Sequence, residues 1–212
     1  MKDNIKLTCA DCALKTCDGK DSDKWPAFCL TKNNSDEKTL TSALKCYDDS
    51  ENKSIMKNAA EIESQYYGKM TRVEETIAFA KKMHYKKIGI ATCIGLLNES
   101  KTLTNILRKE GFEVFSIACK AGAVDKVAVG IDESCTNVGT KMCNPINQAL
   151  RLNKEKTDMN IIMGLCIGHD MLFTKYSNSP VTTLVAKDRV TGHNPAAVLY
   201  TADSYYSKLL KR

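Results

Sequence analysis

The chain lacks the features that would place it in several large functional classes. It has no stretch of about 18 consecutive apolar residues, so no membrane-spanning helix is expected. Its start, Met1 to Lys6, runs into polar sequence in place of a charged, then apolar, then small-residue leader, which predicts a cytoplasmic protein without a signal peptide. There is no GxGxxG and no GxxxxGKS/T, so neither a dinucleotide fold nor a phosphate-binding P-loop has support. No internal repeat and no low-complexity segment is present. Charge of one sign is only mildly in excess: the formal net charge is +6 over 212 residues, with the lysines scattered. Such an excess reads as surface solubility, with nucleic-acid binding the disfavoured alternative.

Against these absences stand 10 cysteines. A chain of this length buries enough apolar surface to fold without disulfides, and in a reducing compartment clustered cysteines bind metal or do chemistry more often than they cross-link. Three regions follow from the pattern: a cysteine-dense knuckle over 1–34, a helical connector over 35–84, and a domain over 85–212 in which strands alternate with helices. In the connector, Thr71 with Glu74 forms a capping box that opens a helix carrying Val73, Ile77 and Ala80. Strands are expected at Lys87–Thr92, Glu113–Ala118, Asn160–Leu165 and Val181–Ala186. Helices are expected at Leu96–Lys109, stopped by Gly111, at Asn144–Leu152 behind an Asn-Pro start, and from Asn194-Pro195 to about Leu210. The fold class predicted is α/β: a small four-stranded, mostly parallel sheet with helices on both faces and right-handed crossovers.

The first cysteine group, Cys9, Cys12, Cys17 and Cys29, has the spacing C-x2-C-x4-C-x11-C. Two thiolates from one tight turn can grip a metal that a later pair encloses, and in a segment with few core-forming residues ligation would supply the folding energy. The spacing suits zinc and iron–sulfur equally. Trp25, Pro26 and Phe28 are expected to pack this knuckle.

The second group is more informative. Cys93 follows the first strand (IATC), Cys119 the second (SIAC) and Cys166 the third (MGLC), while Cys143 stands at the start of a helix (MCNPINQA). In a parallel sheet all post-strand residues share the carboxyl edge, where open α/β sheets bind ligands. Neighbouring strands lie about 4.8 Å apart, so thiols on adjacent strand ends reach one metal or cluster. His169 and Asp170 (GLCIGHD) and Lys120 fall on the same edge and are the candidate proton-handling groups. Lys187, Arg189 and His193 follow the fourth strand; Lys120, Lys187 and Arg189 are either surface charges or an anion-binding rim, and His193, just before the helix cap, is either structural or a ligand or proton donor. His84 precedes the first strand and belongs to the opposite edge. Cys46 and Cys135 fit neither group.

The runs CADCALKTC, MCNPINQA, GLCIGHDMLF and VAKDRVTGHNP, in that order, resemble a domain-of-unknown-function family of cysteine-rich proteins from anaerobic bacteria and archaea whose members carry a metal-binding label. The resemblance covers nearly the whole chain. It implies metal binding and points at Cys9, Cys12, Cys17, Cys29, Cys93, Cys119, Cys143, Cys166 and His169, without assigning a role to any of them.

Two functional classes stay open at this level. In the first, the strand-end cysteines hold an iron–sulfur cluster, of 4Fe–4S type, and a small anionic molecule undergoes redox or sulfur chemistry beside it. Three cysteines then hold the cluster, with the fourth cysteine, His169 and Asp170 managing protons, and the N-terminal group is a second cluster or a structural zinc. In the second, both groups are fully cysteine-ligated by zinc or iron–sulfur, and the protein is a sensor, metal carrier or electron-transfer module for a redox partner protein. A third idea, nucleic-acid binding through the knuckle, predicts steep salt dependence.

Overall fold

The computed structural model describes residues 5–12, 14–17, 21–33 and 37–211. The expected division between knuckle and connector at residues 34–35 lies outside them, as does Ala13 in the first cysteine run. The chain forms two units, Met1–Lys57 and Asn58–Arg212.

The first unit has short 3-10 turns at Cys9–Asp11 and Ser22–Lys24, then helices α1 (Leu30–Asn33), α2 (Glu37–Cys46) and the start of α3 (Ser50–Tyr66). None of its described residues is buried. Trp25, Pro26 and Phe28 are half-buried, and the Trp25 indole donates to Thr16 Oγ1 at 3.2 Å. Among the described residues this unit has no apolar interior of its own, in keeping with its sparse complement of core-forming residues.

The second unit opens with the end of α3 and α4 (Arg72–Lys82). The expected capping box starts α4: the Thr71 amide donates to the Glu74 carboxylate at 2.7 Å, and Thr71 Oγ1 accepts from the Glu74 amide. Then follow β1 (Lys87–Thr92), α5 (Leu97–Lys109), β2 (Glu113–Ala118), α6 (Pro145–Glu155), β3 (Met159–Met163), α7 (His169–Tyr176), β4 (Val181–Val185) and α8 (Ala196–Tyr200). The four strands form one sheet of order β2-β1-β3-β4, and every pairing is parallel.

Alternation along the strands builds two cores. Ile88 and Ile90 of β1 with Met159, Ile161 and Met163 of β3 face Ala80 of α4 and Leu103 and Leu107 of α5. Ala91, Ile117 and Ile162 face Ala149 and Leu152 of α6 and Phe173 of α7. Helices therefore cover both faces, as the short apolar strands require. Full burial of each such isoleucine contributes about 1.5–3 kcal/mol. The buried residues of α5, Ser100, Leu103, Thr104 and Leu107, repeat at helical spacing on one face.

Three local expectations are corrected. β3 ends at Met163 rather than Leu165, because Gly164 turns into the left-handed region (φ +65°) and a side chain there would meet Leu96 Cδ1 at 2.1 Å. A helix, α7, follows in a stretch to which the sequence pattern assigns no element. The C-terminal helix ends at Tyr200 instead of continuing to Leu210. There Thr201 Oγ1 bonds back to the Ala197 carbonyl at 2.7 Å, and a turn closes from the Tyr206 amide to the Thr201 carbonyl. Thr201, Asp203 and Ser204 offer the backbone competing hydrogen bonds. Among the described residues no helix is long and apolar enough to cross a membrane.

Candidate functional site

The strand order locates the site. From β1 the chain steps outward to β2, then returns across β1 to β3 and continues to β4. The reversal falls between β1 and β3, and at such a point the loops leaving the carboxyl ends diverge and open a crevice. Cys93 leaves β1 there, and Cys166 lies just beyond β3.

Cys93 and Cys119 extend the ladders by one residue. The Cys93 amide donates to the Met163 carbonyl at 3.1 Å and the Cys119 amide to the Thr92 carbonyl at 2.8 Å. Both are buried, with 6% and 2% exposure, and their thiols are within hydrogen-bonding reach of each other. The Ile94 amide donates to Cys119 Sγ at 3.4 Å, and the Gly95 amide donates to the Cys93 sulfur. A Cβ on Gly95 would stand 3.6 Å from Lys187 Nζ and 3.9 Å from Cys93 Sγ, ordinary contact distances that place the ammonium and the thiol on the same side of this turn.

The electrostatics follow from these contacts. The Cys119 thiol beside Cys93, then the Gly95 amide and the Lys187 ammonium, draw Cys93 down to about 5 against the opposing effect of burial. Cys119 moves up, because its thiol donates to Cys93 and is desolvated, and because the Cys143 thiol also reaches it. The pair thus shares one proton, and the charge belongs on Cys93, where the cation and the free amide are.

Cys143 precedes Asn144, the N-cap of α6. The Asn144 side chain accepts from the Asn147 amide at 3.0 Å, and the Asn144 amide donates to the Cys119 carbonyl at 2.7 Å, tying Cys143 to the end of β2. Cys143 reaches Cys119 through its side chain. Cys166 is half-buried, and Arg189 Nη2 donates to its sulfur at 3.1 Å. The guanidinium is held further up its already high range first by Cys166, and it also feels the charges of Cys93 and Cys143. Four thiols from four chain segments are therefore gathered on the carboxyl edge with Lys187 and Arg189.

The other candidates are placed as follows. His169 begins α7, and its amide and that of Asp170 bond to the Cys166 carbonyl; the Asp170 carboxylate accepts from the neighbouring Met171 amide at 2.8 Å. Both side chains are half-buried. Lys120 donates to the Lys141 carbonyl at 2.5 Å, closing the excursion between β2 and α6. His193 Nδ1 accepts from the Asp188 amide at 3.1 Å and so shapes the turn that carries Lys187 and Arg189. The Asp188 carboxyl lies below its usual range because the Thr191 side chain and the amides of Val190 and Thr191 bond to it.

Gln148 of α6 was not anticipated. It is fully buried, and its Nε2 donates to the carbonyls of Ile117 at 2.7 Å and Thr92 at 3.2 Å, the residues preceding the two paired cysteines by one or two positions. Its sequence signal is a polar residue on a stripe otherwise made of Pro145, Ala149 and Leu152.

In the first unit, Cys9 and Cys17 are exposed and Cys12 and Cys29 half-buried, all as free thiols. The Lys32 amide holds the Cys29 thiol below its usual range. Cys46 ends α2 and Cys135 lies in the 3-10 turn Glu133–Val138. Among the described residues no three cysteine, histidine or carboxylate groups converge on one point as a single metal ion requires.

Residues 29–184 match the family described as "Protein of unknown function (DUF1847)". The chain is also 47% identical over 206 residues to an uncharacterized protein of the archaeon Methanocaldococcus jannaschii, a span covering 96% of this chain and 98% of the relative. The family match contains all four edge cysteines and Cys29, and begins after Cys9, Cys12 and Cys17.

Proposed function

The chain belongs to the DUF1847 family, and on the geometry of its sheet edge we propose that it is an iron–sulfur protein whose cluster site is formed by Cys93, Cys119, Cys143 and Cys166. The observation that carries this reading is the placement of four thiols from separate segments on the carboxyl edge of a parallel sheet, Cys93 and Cys143 each beside Cys119, and Cys166 held by Arg189, with two cations beside them. The donor set fits such a group. Thiolates are its ordinary protein ligands, and amide-to-sulfur hydrogen bonds of the kind made by Ile94 and Gly95 set cluster potentials. A polynuclear cluster spaces its ligands more widely than one ion does, which accords with thiols that approach in pairs without converging. A bound cluster supplies electron transfer, or an iron open to sulfur or substrate.

The protein's own contribution is binding and charge. Lys187 and Arg189 offset the thiolates and favour a small anionic molecule at the rim. His169 and Asp170, at the start of α7 next to Cys166, are the groups to move protons there, and Lys120 fixes the loop between β2 and α6. In the first unit, Cys9, Cys12, Cys17 and Cys29 would hold zinc or a second cluster. The absence of any buried described residue there favours metal as its folding element.

Metal analysis after anaerobic purification tests the proposal. About four irons and four sulfides for each cubane, with broad visible absorbance, are the expected result. Zinc alone, colourless and without sulfide, would instead favour the non-enzymatic reading, a sensor, metal carrier or partner-binding module.

A further inference from the structure

Cys93 and Cys119 are related in a way that goes beyond ligation. The register of β1 on β2 runs from Lys87 opposite Glu113 to Thr92 opposite Ala118, and the next step sets Cys93 opposite Cys119. The hydrogen bond from the Cys119 amide to the Thr92 carbonyl keeps the ladder intact at that step. Parallel neighbours stand about 4.8 Å apart, inside the Cα separation of about 4.4–6.8 Å that a disulfide spans without backbone movement. Opposed residues project to the same face, and here both side chains enter the same apolar cluster with their thiols within hydrogen-bonding reach. Cys143 approaches Cys119 from outside the ladder, and Cys166 is engaged by Arg189.

We infer that Cys93 and Cys119 are a peroxide-responsive dithiol, closing to a disulfide in the metal-free chain. Burial selects the oxidant: bulky disulfides and charged reagents are excluded from thiols 6% and 2% exposed, whereas hydrogen peroxide is small and uncharged. Cys93 is the more accessible and reacts first. Its sulfur takes one peroxide oxygen as the O–O bond breaks, giving a sulfenic acid and one water. The Cys119 sulfur then attacks the Cys93 sulfur, the S–O bond breaks, and a second water leaves with the Cys119 proton. Overall two thiols and one peroxide become one disulfide and two waters, with two electrons passing from sulfur to oxygen. Closure removes half of the edge thiols from metal ligation, so the pair senses oxidation before the site is loaded.

The test uses the full chain, chelated and reduced, then exposed to a modest excess of hydrogen peroxide, alkylated, and mapped by mass spectrometry without reduction. Expected are the loss of the free thiols at Cys93 and Cys119 and one cross-link between their peptides, reversed by dithiothreitol once the oxidised chain is unfolded. Cys119→Ser, quenched into denaturant containing dimedone after the peroxide step, should carry a dimedone-labelled sulfenic acid at Cys93 with no cross-link. A wild-type cross-link from either cysteine to Cys143 or Cys166, free thiols persisting at both, or overoxidation without a cross-link would overturn the inference. Because the measurement is made on metal-free protein, its outcome is independent of whether iron, zinc or neither binds the edge.

Discussion

Gly89→Ala is the most informative single change in the sheet. A Cβ at Gly89 would lie 2.0 Å from Asn160 Oδ1, 3.1 Å from Asn160 Cγ and 2.9 Å from Leu152 Cδ1. The leucine methyl can rotate away, but the asparagine cannot do so freely. It is fully buried, its Oδ1 accepts from Thr157 Oγ1 at 2.7 Å, and its Nδ2 donates to Ser177 Oγ at 2.8 Å. Overpacking costs about 1–3 kcal/mol, and a buried polar group stripped of its partner costs about 1–3 kcal/mol more. The loss of unfolded-chain freedom on replacing glycine offsets only about 0.4–1 kcal/mol. A net destabilisation of about 3 kcal/mol is expected, a large share of the ordinary 5–15 kcal/mol of a domain. Urea unfolding of the metal-free chain should show it as a lower midpoint with an unchanged slope. In an Asn160→Ala background the same change should cost about 1 kcal/mol, giving a clear coupling energy. A Gly89→Ala protein within about 0.5 kcal/mol of wild type, or strict additivity with Asn160→Ala, would refute the reasoning.

Three further outcomes follow. Gly164→Ala should destabilise by about 2–4 kcal/mol, from left-handed backbone strain and the overlap with Leu96, and thermal unfolding reads it directly. In the metal-free chain, ultraviolet thiolate absorbance should show one thiolate on the Cys93–Cys119 pair above about pH 5, lost as the pH falls below it. Lys187→Met should move that titration upward and Cys119→Ala should move it further, since the Cys119 thiol is the larger cause; the reverse ranking would contradict the electrostatic account. Adding metal to the chelated chain should raise hydrogen-exchange protection over residues 9–29, with little change in β1 and β3; uniform protection, or none, would remove metal as the folding element of the first unit.

The sheet was largely legible because its strands are short apolar runs. KIGIAT and EVFSIA appear as strands with the bounds read from sequence, and the Asn144-Pro145 start of α6 is where cap chemistry puts it. Strands alone also placed Cys93, Cys119 and Cys166 on one edge. What local sequence does not encode is order. That β3 lies beside β1 depends on a crossover past β1, and this adjacency brings the Cys166 loop next to Cys93. α7 escaped notice because HDMLFTKY buries only Phe173 and shows no apolar stripe. The C-terminal helix was overextended because the Asn-Pro start was clear while the stop, made by Thr201 and the residues after it, carries neither glycine nor proline. The contacts of Lys187 with Cys93, Arg189 with Cys166, and Gln148 with the ends of β1 and β2 are long-range pairings that no spacing rule reveals.

The central claim is that the sheet-edge cysteines, rather than the N-terminal group alone, hold an iron–sulfur cluster. Its most direct test compares two double variants purified without oxygen, Cys93→Ser with Cys119→Ser and Cys9→Ser with Cys12→Ser, by iron, acid-labile sulfide and visible absorbance, with the fold of each checked by circular dichroism. The edge variant should stay folded and lose the edge cluster's iron, sulfide and visible absorbance, while the N-terminal variant keeps that share. An edge variant that retains the full wild-type iron and sulfide would contradict the account.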